Sequence, residues 1–271
     1  GRYAGIVGCY NGFRTYGLKH QLFELKPAHE CEDRAEVERE LQKVKLPSNT
    51  KIVLTGKGRV GKGALEIIHQ LPITEVSPEE YLSQSFDHPV YTSLDVEAYN
   101  NKNDGSPFDK RDFYHDPSDY HSTFDQYLST SDLYIACHYW DARAPFIFTK
   151  EDLKRKDVRV SVVADISCDI DGPVASTIRP STIADPIYGY DPYSEQEAPF
   201  NQEGVIAVMA VDNLPCELPK DASEDFGNEL IKNIIPALLG DDPDHIIDRA
   251  TETTFEGTLN SHYQYLEDYA K

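Results

Sequence analysis

The chain has 271 residues, of which 39% are hydrophobic and 27% are charged, a composition typical of a globular protein with one large or two small domains. It carries 47 acidic against 26 basic residues, which gives a formal net charge of −21. Because so acidic a chain repels phosphates and has no long run of Lys or Arg, its composition argues against nucleic acid or a membrane surface as a partner.

The cysteines and the chain start indicate where such a protein works. Five widely spaced cysteines form no CxxC pair, which predicts free thiols and a cytoplasmic location. No apolar run approaches the ~20 residues that span a bilayer, and the first residues form no signal peptide. Since the chain opens without Met in a glycine-rich, aromatic stretch, we expect it to be part of a longer protein. A homo-oligomer is compatible with the sequence.

Two helices are predicted before the first strand. Apolar and small residues recur at helical spacing from Tyr3 to Leu25, and a charged helical pattern runs from Glu32 to Leu46. We interpret residues 1–46 as helices that lead in from a preceding domain. Lys51 to Thr55 then predicts a short β-strand, which is followed by a glycine turn and a helix from Lys62 to Leu71.

The next segments alternate between apolar and polar character. Ile73 to Val76 is a second strand candidate, whereas Pro78 to Ser131 is polar and predicts loops and short helices. Asp169 to Glu203, rich in Pro, Gly and Tyr, predicts an irregular excursion. Two helices are predicted at the end of the chain, over residues 220–239 and 244–269.

Three further apolar runs indicate the fold class. They are unbroken rather than alternating, which is typical of strands buried on both faces of a parallel sheet. The runs are Asp132 to Cys137, Val158 to Ile166 and Val205 to Val211. We therefore predict an α/β fold, a Rossmann-like doubly wound parallel sheet with flanking N- and C-terminal helices. Residues 47–240 would form the dinucleotide-binding domain, and residues 241–271 a C-terminal return helix.

The motif that carries chemistry is G-x-G-x-x-G, formed by Gly56, Gly58 and Gly61 between a strand and a helix. The first glycine permits a tight turn, the second lets the backbone approach a pyrophosphate, and the third lets the helix pack close to the strand. The amino end of the helix then directs its free N–H groups at the diphosphate, with Arg59 and Val60 beside it. A flexible turn without a ligand is the simpler alternative.

An acidic residue some twenty positions after this motif is expected to bind a ribose 2′-hydroxyl. Glu75 has that spacing, with Glu79 and Glu80 as rivals, and a carboxylate there favours NAD because it repels a 2′-phosphate. The basic residues Lys57 and Lys62 leave NADP open.

Polar residues follow three predicted strands, where ligands of open parallel sheets bind. They follow Cys137 as HYWDARAP, Ala164 as DISCDIDG and Val211 as DNLPCELP. The segments ADISCDIDG, VDNLPCELPKDASEDFG and the tail DRATETTFEGTLNSHYQYLEDYAK together resemble the lysine-forming saccharopine dehydrogenases, or lysine–ketoglutarate reductases, of the alanine dehydrogenase and transhydrogenase superfamily. The resemblance covers the chain almost end to end and is strongest from Asp132 to Gly227.

This resemblance implies two Rossmann-like domains with a cleft between them and a nicotinamide cofactor that exchanges hydride with an imine of an amino acid and a 2-oxo acid. It also implies roles for individual residues. The residues expected near the cofactor are Arg2, Ala136, Cys137, Asp212, Asn213, Leu214 and Pro215. Those expected near the amino-acid or 2-oxo-acid substrate are Val7, His138, Tyr139, Trp140 and Arg143.

The resemblance also places the acid–base Lys and His of the family in a domain that precedes the cofactor domain and is absent before Gly1. We therefore expect no catalytic residue in this chain, and dinucleotide binding with little or no turnover. An alanine dehydrogenase- or transhydrogenase-type enzyme and a non-catalytic NAD(P)-binding module are the alternatives.

Other polar residues have a structural interpretation beside a functional one. Arg143 could clamp a substrate carboxylate or form an ion pair with one of the many acids. Asp165, Asp169 and Asp171 match no EF-hand spacing, so structural hydrogen bonding is expected there. We predict no metal site, since a solvated surface is expected for the following acidic and histidine residues, His115, Asp116, Asp119 and His121. Cys168 and Cys216 are expected to be small buried residues.

Overall fold

The computed structural model describes residues 1–270 in two compact units, Gly1–Pro219 and a second unit that begins at Lys220. The strands are β1 (Lys51–Thr55), β2 (Thr74–Glu75), β3 (Val90–Leu94), β4 (Asn100–Lys102), β5 (Tyr120–Ser122), β6 (Leu133–Ala136), β7 (Val162–Asp165), β8 (Ile187–Asp191), β9 (Gln196–Ala198) and β10 (Ile206–Met209). The α-helices are α1 (Arg2–His20), α2 (Arg34–Glu40), α3 (Arg59–Ile68), α4 (Pro78–Ser83), α5 (Lys110–His115), α6 (Asp125–Leu128), α7 (Lys150–Leu153), α8 (Pro219–Glu229), α9 (Ile235–Leu239) and α10 (Ile246–Ala250).

The first unit is built on an eight-stranded sheet with the order β2-β3-β1-β6-β7-β10-β8-β9. Strands β2 through β10 in this order pair in parallel, and β8 and β9 complete the sheet as an antiparallel pair. Every residue of β1, β3, β6, β7 and β10 is buried, as expected of strands covered on both faces. The predicted α/β fold with a mostly parallel sheet is confirmed.

The carboxyl ends of four central strands meet at one edge of the sheet. Thr55 is paired with Leu94 on one side and with Ala136 on the other, and Ala136 is paired with Asp165. Side chains that follow these residues therefore converge above the same edge. Since β3 lies on one side of β1 and β6 on the other, the strand order reverses at β1.

The N-terminal helix α1 belongs to this unit. It is buried along most of its length and packs against α3 and against β7 and β10. The sequence analysis assigns residues 1–46 to a separate lead-in segment, whereas in the structure an apolar helix without a polar face is covered by the sheet and α3.

Two segments differ from their predicted structure. Strand β3 lies in the polar segment from Pro78 to Ser131, which was expected to hold only loops and short helices. The helix expected over residues 244–269 is interrupted: α10 ends at Ala250, and a short 3-10 segment covers Ser261–Leu266. Gly257 between them has a φ of +81°, which an α-helix does not accommodate.

The second unit also begins earlier than expected, at Lys220 instead of after residue 240. It contains α9 and α10, and a π-helical turn at Leu230–Ile234 joins α8 to α9. None of the helices in residues 1–270 combines the length and the hydropathy needed to cross a membrane.

Candidate functional site

The glycine loop between β1 and α3 has the backbone geometry that its sequence predicts. Gly56 has a φ of +92°, in the left-handed region, and its N–H donates to the Leu94 carbonyl over 2.9 Å. A Cβ on Gly61 would collide with the carbonyl oxygen of Gly56, so the start of α3 packs directly on the turn. A Cβ on Gly58 would meet no atom within 4 Å. The space above Gly58 is therefore open to a ligand.

The amino end of α3 adds hydrogen-bond donors to this loop. The helix begins at Arg59, and Gly58 as its N-cap provides no side chain to satisfy the first N–H groups. These N–H groups and the helix dipole make the loop a favourable position for an anion such as a phosphate.

A cleft of about 540 Å³ opens beside the loop, at the point where the strand order reverses. In open α/β sheets ligands bind in this crevice, beyond the carboxyl ends of the strands. The lining residues are Gly56, Lys57, Gly58, Arg59, Val60, Asp95, Val96, Tyr99, Lys110, Phe113, Tyr114, Cys137, His138 and Tyr139.

Asp95 is the acidic residue of the cleft, and the sequence analysis did not identify it. It follows β3, the strand that pairs with β1. Its Oδ2 accepts a hydrogen bond from Lys110 Nζ over 2.6 Å, and its Oδ1 accepts one from the Val96 N–H. Burial favours the neutral acid, but the hydrogen bonds from Lys110 and Val96 outweigh it and hold the pKa of Asp95 below its usual value. Asp95 is therefore ionised at neutral pH.

Glu75 lies elsewhere, which corrects its predicted role. It is exposed on the edge strand β2, two strand spacings or roughly 10 Å from β1, because β3 lies between them. Its Oε2 accepts a hydrogen bond from the Tyr91 hydroxyl over 3.1 Å. The rivals Glu79 and Glu80 are exposed in the first turn of α4, where Glu80 forms a capping box with Ser77. The strand pairing thus replaces Glu75 with Asp95.

The end of β6 supplies the opposite wall. Ala136 and Cys137 are buried, and burial raises the pKa of the Cys137 thiol. His138 is also buried, and its Nδ1 lies 2.9 Å from Thr55 Oγ1. Burial lowers the pKa of His138 to about 4, so its ring is neutral at pH 7. Tyr139, in contrast, is exposed at the mouth of the cleft.

Trp140 and Arg143 do not line the cleft beside the glycine loop. The indole N–H of Trp140 donates to the carbonyl oxygens of Ala144 and Pro145. The Arg143 guanidinium binds the Asp141 carboxylate, with a shortest distance of 2.8 Å. That hydrogen bond lowers the pKa of Asp141 to about 2. An ion pair, the structural interpretation of Arg143, is the one found in this structure.

The remaining predicted contacts lie outside this cleft. Val7 is fully buried within α1, so in this structure it cannot face a substrate, because its side chain packs in the core. Arg2 donates to Glu66 of α3 over 2.7 Å. After β10, Asp212 and Asn213 are exposed, Pro215 is half-buried and Leu214 is buried; these four residues do not line the cleft either.

Asp165 holds the loop after β7 in place. It is fully buried and accepts hydrogen bonds from the Ser167 N–H and hydroxyl, the Cys168 N–H and the Thr177 hydroxyl. Burial raises its pKa, although these hydrogen bonds oppose the change. This is the structural hydrogen bonding that was predicted. Nearby, Asp169 is half-buried and Asp171 is exposed.

Within residues 1–270, no group of three His, Cys, Asp or Glu side chains is arranged to hold a metal ion. His115, Asp116, Asp119 and His121 are exposed. All five thiols are free. Cys216, expected to be buried, is exposed because it lies in the short 3-10 turn after β10, and Cys168 is half-buried.

Comparisons with known proteins agree with this architecture. Residues 41–260 match the family described as "Alanine dehydrogenase/PNT, C-terminal domain". The alpha-aminoadipic semialdehyde synthase of Arabidopsis thaliana is 29% identical over 79% of this chain and 22% of its own length. The mitochondrial protein of that name from Rattus norvegicus is 25% identical over 98% of this chain and 34% of its own length.

Two further proteins extend the comparison. The saccharopine dehydrogenase [NAD(+), L-lysine-forming] of Neurospora crassa is 27% identical over 40% of this chain and 28% of its own length. A solved L-alanine dehydrogenase superposes with a TM-score of 0.52 and 15% identity, over 100% of this chain and 63% of that chain, which shows a common fold. The chain matches between 22% and 34% of the length of the three curated relatives.

Proposed function

The chain belongs to the family of the alanine dehydrogenase/PNT C-terminal domain, and on this premise we propose that it is the cofactor-binding part of an NAD-dependent amino-acid oxidoreductase of the saccharopine dehydrogenase kind. The reaction would be the reductive condensation of lysine with 2-oxoglutarate, or its reverse. The names of two relatives, one NAD(+)-dependent and lysine-forming, support this choice.

The observation that carries the proposal is the glycine loop at the switch point of the sheet. The open space above Gly58 and the uncapped start of α3 fit a diphosphate, which needs backbone N–H donors at close approach. Lys57 and Arg59 line the same cleft and add positive charge to a protein that is strongly acidic overall. These residues therefore fit the pyrophosphate of a dinucleotide.

Asp95 supports NAD over NADP. In sheets of this kind a carboxylate at the end of the strand beside β1 binds the ribose hydroxyls of the adenosine. Asp95 is ionised in that position, so it would accept a hydrogen bond from a 2′-hydroxyl and repel a 2′-phosphate. Lys110 stays within hydrogen-bond distance of the same carboxylate and keeps it oriented.

The nicotinamide, when bound, supplies the hydride chemistry. This chain would hold the dinucleotide across the crevice and exclude water from it. The contacts of Arg2, Ala136, Cys137 and residues 212–215 with the cofactor remain predictions from the family resemblance. So do the substrate contacts of Tyr139, Trp140 and Arg143.

Titration of the purified chain with NADH and NADPH, followed by nicotinamide fluorescence, tests the cofactor. We expect NADH to bind more tightly than NADPH, and the absence of binding by either at millimolar concentration would contradict the proposal. A substrate screen on the full-length gene product tests the reaction. Turnover with lysine and 2-oxoglutarate supports it, whereas turnover with ammonia and a 2-oxo acid, or with a second nicotinamide nucleotide, indicates the alanine dehydrogenase or transhydrogenase alternative.

A further inference from the structure

A smaller cavity of about 70 Å³ adjoins the cleft on the side of Asp95 and Val96. The two share the lining residues Val96, Tyr99, Phe113, Tyr114, His138 and Tyr139. Most of these residues come from the segment between β3 and β6, and the others follow β6. Aromatic walls with few polar groups are typical of sites that bind a planar organic ring.

His138 is a buried polar side chain that lines both spaces. Its Nδ1 lies 2.9 Å from Thr55 Oγ1, which in turn lies 2.9 Å from the hydroxyl of Tyr134. Tyr134 is fully buried, so its O–H requires an acceptor. Its acceptors in the structure are Thr55 Oγ1 and, at 3.4 Å, His138 Nδ1.

This geometry determines which ring nitrogen carries the hydrogen. If Nδ1 donated to Thr55, the Thr55 hydroxyl would donate to Tyr134 and the Tyr134 hydrogen would have no acceptor. If Tyr134 donates to Thr55 and Thr55 donates to Nδ1, each hydroxyl hydrogen has a partner. Nδ1 is then an acceptor, and the neutral ring carries its hydrogen on Nε2.

The Nε2–H group is closed to water and has no hydrogen-bond partner among the described residues. A buried donor without a partner is unfavourable, and such a group in a folded protein calls for an explanation. An acceptor on a ligand in the adjoining cavity would provide the missing partner.

We infer that this cavity and the adjoining part of the cleft hold the adenine base of the dinucleotide, with His138 Nε2–H donating to a ring nitrogen of the base. The inference rests on the proposed function, because the glycine loop and Asp95 would fix the diphosphate and the adenosine ribose. The base projects from that ribose towards Val96 and the aromatic walls. Tyr114 and Tyr139, both exposed at the mouth, would be covered by it. His138 and Tyr139, expected to face the substrate, are thereby assigned to the cofactor.

ADP-ribose, which has the adenosine and diphosphate but no nicotinamide, is the probe for this inference. Trp140, the single tryptophan of the chain, lines the cavity, so its fluorescence reports binding. We expect His138→Leu to weaken ADP-ribose binding about tenfold. His138→Gln, which retains an N–H donor, should bind within about threefold of the unmodified chain. Binding of nicotinamide mononucleotide, which lacks adenine, should be equal in all three proteins.

Tyr114→Ala is the second variant, since this exposed side chain can be removed without opening the core. Loss of one aromatic wall should weaken ADP-ribose binding about fivefold or more. Unchanged ADP-ribose affinity in both His138→Leu and Tyr114→Ala, with NADH still bound, would overturn this inference and leave the proposed function standing. A chain that binds neither NADH nor ADP-ribose would overturn both. If His138→Leu does not fold, Tyr114→Ala decides.

Discussion

The Asp95 carboxylate and the Lys110 ammonium group lie 2.6 Å apart in the wall of the cleft, and they belong to different elements of the segment that follows β1. The pair places a negative charge at the end of β3 and holds it in one orientation. Since Asp95 is only partly exposed, its charge is less screened than that of a surface carboxylate.

The first prediction concerns cofactor choice. Asp95→Ser should weaken NADH binding about tenfold, because a charged acceptor for the ribose hydroxyls is lost. It should weaken NADPH binding less or strengthen it, because the repulsion of a 2′-phosphate is removed and Lys110 is released. Fluorescence titrations with both nucleotides measure the ratio. The matched control is Glu75→Gln on β2, which should leave both affinities unchanged; if this variant alone changes the ratio, Asp95 has been assigned the wrong role.

The second prediction separates binding from stability at the glycine loop. The added Cβ of Gly58→Ala meets no protein atom within 4 Å, so the free energy of unfolding should fall by less than about 1 kcal/mol. The same methyl group occupies the space where the diphosphate would lie, and NADH binding should weaken at least tenfold. Urea unfolding and NADH titration of the same preparation give the two numbers. Unimpaired NADH affinity would show that the diphosphate lies elsewhere.

Gly56→Ala is the contrasting variant. Gly56 has a φ of +92°, and its Cβ would collide with the backbone of Cys137, so this substitution should destabilise the fold by at least about 1–3 kcal/mol. Equal stability of the two alanine variants would mean that the turn is not as tight as the structure indicates.

The third prediction is the pH dependence of stability. Burial lowers the pKa of His138 from 6.5 to about 4, so the folded state disfavours the protonated ring. As the pH falls, the unfolded chain binds a proton first, and the stability due to the neutral ring is present above about pH 6.5 and lost between about 6.5 and 4. The loss amounts to about 3 kcal/mol.

Urea unfolding between pH 7.5 and 4, compared with His138→Gln, isolates this contribution, because glutamine does not titrate. The unmodified chain should lose stability relative to the variant as the solution is acidified. Two curves that stay parallel over the whole range would show that the ring is not buried in its neutral form.

The fourth prediction concerns Arg143. Its guanidinium is exposed and paired with Asp141, so Arg143→Ala should change the free energy of unfolding by less than about 1 kcal/mol. The same variant in the full-length gene product separates an ion pair from a substrate clamp. A raised KM for the 2-oxo acid would support the clamp predicted from the family resemblance, and unchanged kinetics would leave only the ion pair.

Much of the sheet was predictable because its central strands are apolar throughout. Lys51–Thr55, Leu133–Ala136 and Ile206–Met209 lie within the predicted runs. The glycine loop was also predictable, since its three glycines have distinct geometric requirements. Local pattern suffices where each residue of an element is buried or conformationally constrained.

The position of Asp95 could not be derived in the same way. Strand order depends on long-range pairing, and β3 has a Thr and a Ser in its five residues, within a polar segment. The expected spacing therefore selected Glu75, on a strand that pairs with β3 instead of β1. The apolar run before Asp95 was the available signal, since VYTSLD has the strand-then-acid order of this type of site.

The two lateral strands of the sheet are short and polar. Strand β2 has two exposed residues, Thr74 and Glu75, and β9 has three, among them Glu197 paired with Arg179. Brief, charged margins of this kind discourage another chain from extending the sheet, which is the usual route to amyloid-like aggregation. A protein with these margins should remain dispersed when concentrated, and any assembly it forms should use its helices or loops.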